Sequence, residues 1–166
     1  MIVGILAALF PFIVMTGMHH ALTPIGLNAI ATGGSDTLIF VSQVCSNLAQ
    51  SGSSFAVAVK SKDSNMKQLA SAAAVSALMG ITEPALYGVT LKLKRPVVAA
   101  SVAAGIGGIV GGLFQVSLYI AQNCIMAIPA FIGDKGMSNL LYGIIMIIVS
   151  FCCFPLFLPL FWDLKM

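Results

Sequence analysis

Glu83 is the single charged residue in the stretch 68–91, and it stands in the run Gly80-Ile81-Thr82-Glu83-Pro84. A carboxylate at the centre of a bilayer costs at least about 2.5–3.5 kcal/mol. A purely structural glutamate does not justify that cost, so Glu83 is expected to meet a partner or a substrate. It can accept a hydrogen bond from a ligand hydroxyl, or take that hydroxyl's proton as a base. The residues around it point to broken helical backbone. Pro84 suits the first turn of a helix, Thr82 or Glu83 can cap it, and its free N–H groups would face the site. Gly80, Ile81, Thr82 and Glu83 are therefore candidate binding residues, with Glu83 the candidate for chemistry.

A second polar pair, His19-His20, lies in Gly17-Met18-His19-His20-Ala21-Leu22-Thr23-Pro24. Imidazoles here can hydrogen-bond a hydroxylated ligand, pair with Glu83, or move a proton. Adjacent helical residues point about 100° apart, so both rings rarely serve one ligand. A histidine satisfied between helices is the bland alternative. No further His, Cys or carboxylate stands at zinc-ligand spacing, so no metal is expected. Asn28 joins the binding candidates as a polar residue in an apolar helix. Gln43, Asn47, Gln50 and Ser54 recur every three or four residues and share one helix face. That stripe either lines the same cavity or ties helices together.

The elements that must position these residues belong to a membrane protein. Hydrophobic residues make up 59% of the 166, charged residues 8%, and the mean hydropathy is +1.04. A soluble domain carries about a quarter charged residues, so lipid must solvate most of this surface. Eight Lys and Arg at a membrane surface do not make the basic stripe that nucleic acid requires. Cys45, Cys124, Cys152 and Cys153 read as small apolar residues. The N-terminus lacks the basic region and small-residue cleavage site of a signal peptide. The chain starts abruptly inside an apolar segment, as expected of a fragment or of the C-terminal part of a longer membrane protein.

A spanning helix needs about 20 apolar residues. Four segments qualify: roughly 1–18, 37–59, 96–121 and 137–161. Pro24 is expected to mark a break before a shorter helix at 22–31, and Gly33-Gly34-Ser35-Asp36 a turn. Glycines 105, 107, 108, 111 and 112 predict close helix contacts. Between the second and third spans, Lys60, Lys62 and Lys67 flank one side of Glu83, and Lys92, Lys94 and Arg95 the other. One crossing helix would put a basic cluster on each side, which the positive-inside rule disfavours. The reading is a re-entrant hairpin over about 64–93 with both feet in the cytoplasm, against the alternative of one kinked helix. Its tip must then face a cavity, because irregular backbone at membrane depth is tolerated only there. Residues 122–134 are too short to cross and predict a second, shallower re-entrant element, with Asp134 and Lys135 at the outer surface. Asp163 and Lys165 are expected in the cytoplasm.

The run Gly80-Ile-Thr-Glu-Pro-Ala-Leu-Tyr-Gly-Val89 resembles the signature of the EIIC membrane component of the bacterial phosphoenolpyruvate-dependent sugar phosphotransferase system. The likeness is to the glucose superfamily, nearest its β-glucoside/sucrose/trehalose branch. Gly17–Pro24 resembles a second motif of that family. The resemblance covers the whole chain, residues 1–166, but only the C-terminal half of an EIIC.

It implies an all-α fold of about four transmembrane helices plus one or two re-entrant hairpins, the transport domain of an elevator. It implies a multi-pass protein of the bacterial inner membrane that carries a β-glucoside-type sugar to the cytoplasmic face. There the sugar is phosphorylated, usually on its 6-hydroxyl, by a phosphocysteine of an EIIB domain. Neither an EIIB nor an EIIA domain is expected in 1–166. Implied partners are the sugar, phosphorylated EIIB, the N-terminal EIIC half, lipid, and a second copy in a full-length homodimer. No cofactor is implied. Glu83 matches the hairpin glutamate of the family and His19 the first histidine of its motif, as the catalytic pair. His20 is the more variable position. Broken helices and a membrane carboxylate alone fit equally well a proton- or ion-coupled secondary sugar transporter.

Overall fold

The computed structural model describes residues 1–134 and 136–161, with side chains described up to Cys153. Lys135, Asp163 and Lys165 lie outside the described residues. The chain is helical throughout, in the order α1 (Ile2–Met15), α2 (His19–Gly33), α3 (Ile39–Lys60), α4 (Ser64–Leu78), a π-helical arm Pro84–Thr90, α5 (Leu91–Leu93), α6 (Arg95–Leu113) and α7 (Gly136–Phe161). Two 3-10 turns, Ile125–Ala127 and Pro129–Phe131, interrupt the link between α6 and α7. The described residues contain one isolated antiparallel bridge, between Asp36 and Leu118, and no strand.

α3 is the central post. It packs against α1, α4, α6, α7 and the π-helical arm. Every residue from Ile39 to Ser54 is buried. Asp36 starts this helix: its carboxylate accepts the backbone N–H groups of Leu38, Ile39 and Phe40, at 3.4, 3.3 and 2.6 Å. A negative charge at the first amides of a helix offsets its dipole and satisfies its orphan donors.

The glycines of α6 act as expected. A Cβ on Gly108 would stand 2.8 Å from Gly4 Cα and 2.9 Å from Ala7 Cβ of α1, and one on Gly111 would meet Met146 of α7 at 2.5 Å. Their absence lets α1, α6 and α7 close on one another. Between α3 and the hairpin the contact is made mainly by alanines: Ala70, Ala73, Ala77 and Ala85 pack with Val57, Ala58 and Val89.

Several expected boundaries move. The first apolar segment is not one span over 1–18. α1 stops at Met15, and the chain breaks at Thr16-Gly17-Met18, where Gly17 has φ +73°. Pro24 does not break the helix; α2 runs through it from His19. The break falls seven residues earlier because the glycine supplies a conformation that an L-residue resists. The third segment ends at Leu113, not 121. Residues 122–134 form the two 3-10 turns, packed inward, with Ala127, Ala130 and Phe131 buried. Asn139 on the first turns of α7 holds this link, donating from Nδ2 to the carbonyls of Ser117 (2.8 Å) and Phe131 (2.7 Å). Its Oδ1 accepts the Ser117 N–H at 3.0 Å.

Two described helices, Arg95–Leu113 and Gly136–Cys153, are long and apolar enough to cross a membrane, and Ile2–Met15 is a shorter apolar helix. α3 has the length, with 22 residues. Its serines, asparagine and glutamines lower its hydropathy.

Candidate functional site

α4 begins with Asp63, whose carboxylate accepts the Asn65 N–H at 3.2 Å. It ends on glycine. Gly80 has φ +91°, its N–H donates to the Ala77 carbonyl at 3.1 Å, and the Ile81 N–H donates to the Ser76 carbonyl at 3.0 Å. This pair of bonds around a left-handed glycine is a Schellman stop. It turns the chain, and the π-helical arm packs back on α4. Two packed arms thus meet at a turn around Gly80. Pro84 opens the second arm as expected. Neither Thr82 nor Glu83 caps it with a side chain. Glu83 is itself helical, and the Thr82 backbone carbonyl accepts the Leu86 N–H at 2.8 Å.

The tip borders a cavity of about 300 Å³ lined by Val14, His19, His20, Thr23, Gln43, Asn47, Gly80, Ile81, Thr82, Glu83 and Asn123. That volume sits at the small end of ligand pockets, and the lining is mainly polar. Four elements meet there: the end of α1, the first turns of α2, the upper part of α3 and the hairpin tip, closed by Asn123 from the α6–α7 link. Thr82 is buried, while Ile81 and Glu83 are exposed.

His19 and His20 both line this cavity, with ring centroids 4.0 Å apart and planes inclined by 37°. The expected divergence of neighbouring helical residues does not separate them. They occupy the first two positions of α2, where a helix end opens directly onto the cavity. His19 Nδ1 is buried with no hydrogen-bond partner. A neutral imidazole donates from one nitrogen and accepts at the other.

Asn28 is absent from the lining. It lies nine residues after His19 on α2, about half a turn around at roughly 100° per residue. It is exposed, and its carbonyl accepts the Thr32 hydroxyl at 2.7 Å. The α3 stripe divides. Gln43 and Asn47 line the cavity. Lower down, Gln50 Oε1 accepts the Thr90 hydroxyl at 3.2 Å, and neighbouring Ser51 donates to the Ala74 carbonyl at 2.8 Å, both tying α3 to the hairpin. Thr23, Val14 and Asn123 were not singled out by sequence. Thr23 sits one turn after His19, a spacing that could have identified it. Asn123 carried no such signal.

These residues can hold a hydroxyl-rich ligand between neutral amides, imidazoles and one carboxylate. Residues 1–105 match the family model described as phosphotransferase system, EIIC. The chain is 40% identical over 149 residues to a β-glucoside-specific EIIBCA component of Bacillus subtilis (89% of this chain, 24% of that protein). It is 47% identical over 112 residues to an arbutin-, cellobiose- and salicin-specific EIIBC component of Escherichia coli (67% of this chain, 23% of that protein). It is 43% identical over 151 residues to a sucrose-specific EIIBC component of Staphylococcus xylosus (87% and 31%). The chain belongs to the EIIC family of the phosphotransferase system, and it spans about a quarter to a third of the length of these relatives. No solved structure matches it.

Proposed function

We propose that this chain is the sugar-binding and translocating part of a phosphotransferase-system permease. In this reading it presents a β-glucoside-type sugar to phosphorylated EIIB during uptake. One observation carries the reading: Glu83 from the hairpin tip and His19 from α2 line a single polar cavity. Two chain segments far apart in sequence, each with an unusual polar residue, converge where a hydroxyl could bridge them.

The chemistry is a transfer between a thiol and an alcohol. The sugar hydroxyl oxygen forms a bond to phosphorus as the sulfur–phosphorus bond of the EIIB phosphocysteine breaks, and the thiolate leaves. Glu83 accepts the hydrogen bond of the attacking hydroxyl and takes its proton. His19 orients that hydroxyl; a ligand hydroxyl would also satisfy its unpartnered Nδ1. Gly80, Ile81, Thr82 and His20 shape the floor. Such a transfer needs mainly alignment and charge neutralisation.

The hairpin is read as re-entrant. The 15 residues of α4 extend about 22 Å at 1.5 Å per residue, short of the roughly 30 Å hydrocarbon core. Both feet carry lysines: Lys60, Lys62 and Lys67 on one, Lys92 and Lys94 on the other, all exposed. In the full-length protein the N-terminal EIIC half would complete the cavity and the homodimer, in a multi-pass arrangement in the bacterial inner membrane.

Uptake of labelled salicin by the full-length protein in vesicles tests the reading. Sugar phosphate should accumulate only with phosphorylated EIIB, and Glu83→Gln should lower the rate at least 100-fold while membrane insertion persists. Accumulation of free sugar driven by a proton gradient would instead establish a secondary transporter.

A further inference from the structure

Glu83 and His19 explain how one hydroxyl is held, but not how one sugar is told from another. Any sugar that offers the accepting hydroxyl meets the same two groups. Discrimination requires a polar group placed elsewhere in the cavity, able to pair with hydroxyls of one configuration and to be left unpaired by another.

Among the other polar lining residues, Gln43 presents a buried amide from α3, and Thr23 directs its hydroxyl to the His19 carbonyl at 3.3 Å. Asn47 directs Nδ2 to the Asn123 backbone carbonyl at 2.6 Å. That last bond has a consequence for Asn123. It pins the main chain of the α6–α7 link to the central helix while leaving the Asn123 side chain out of the pin. The side chain is set beside the hairpin tip: a Cβ on Gly80 would stand 2.8 Å from Asn123 Oδ1. Asn123 is half-buried and lines the cavity. Its amide carries both donors and an acceptor and does not titrate, so it suits recognition and not proton transfer.

We infer that Asn123 is a specificity-determining residue of the sugar site, reading the configuration of hydroxyls away from the one that accepts phosphate. The inference rests on the permease reading above. Asn47 is its positioning residue, acting through the Asn123 backbone.

Calorimetric binding of salicin, cellobiose and sucrose to the full-length protein in lipid nanodiscs tests it, with Asn123→Ala, Asn123→Asp and Glu83→Gln compared. Asn123→Asp keeps shape and one hydrogen-bonding mode, so it guards against a folding failure of the alanine variant. The ratio of affinities between the preferred sugar and the others should change about tenfold in both Asn123 variants, the scale of one neutral hydrogen bond. Glu83→Gln should abolish binding of all three. Equal weakening for every sugar, or no change, in the Asn123 variants overturns the inference while the site reading stands. Unchanged binding in Glu83→Gln, or a full-length wild-type protein that binds none of the three, overturns the site reading itself.

Discussion

Gly80 meets two separate demands. Its φ of +91° ends α4, and its missing Cβ leaves room for Asn123 Oδ1. An alanine there would pay the left-handed penalty of about 1–2 kcal/mol and push on the cavity wall. Gly80→Ala should therefore lower the unfolding midpoint in detergent and weaken sugar binding together; a variant with wild-type values of both would show that the tip adapts without cost. At this scale the expensive residues were legible. Glu83, His19, Gly80 and Thr82 announce themselves because a charge, an imidazole or a glycine in apolar sequence needs a reason. Asn123 was not legible. It stands in a short irregular stretch where asparagine is ordinary, and only the backbone bond from Asn47, 76 positions earlier, brings it to the cavity.

Helix ends in this chain are set by backbone conformation more than by residue type. The turn at Gly80 followed from the glycine and the proline that bracket the tip. The end of α1 and the passage of α2 through Pro24 did not. Proline marks where a helix is weakened, whereas the positive φ of Gly17 marks where it stops. The link between α6 and α7 depends on a residue that sequence gave no reason to select. Asn139 is buried and bonds three backbone groups of that link. Asn139→Leu would strand the Ser117 N–H and two carbonyls, at about 1–3 kcal/mol for each buried unsatisfied group. The expected outcome is early cleavage within residues 114–134 in limited proteolysis, with α3 and the hairpin still protected. Uniform protection equal to wild type would assign the link's order to Phe131 and Leu118 packing instead.

The molecule as a whole is arranged around a polar post. Ser42, Gln43, Ser46, Asn47, Gln50, Ser51, Ser53 and Ser54 are all buried on α3, and α1, α6, α7 and the hairpin enclose it. Membrane character was plain from composition, but the central place of α3 was not. A helix wrapped on every side has no apolar face to contrast with a polar one, so periodicity carries little information about it. The order of synthesis adds a further consequence. α3 leaves the ribosome before α4, the second hairpin arm, α6 and α7, yet it falls outside the helices apolar enough to cross by themselves. Its serines and amides find their covering only when those later segments arrive. Integration of α3 should therefore be delayed and collective. A nascent chain stopped after residue 62 should remain extractable from the membrane by alkali at this helix, while one extended through Cys153 resists. Resistance already at residue 62 would show that α1 and α2 alone shelter the post.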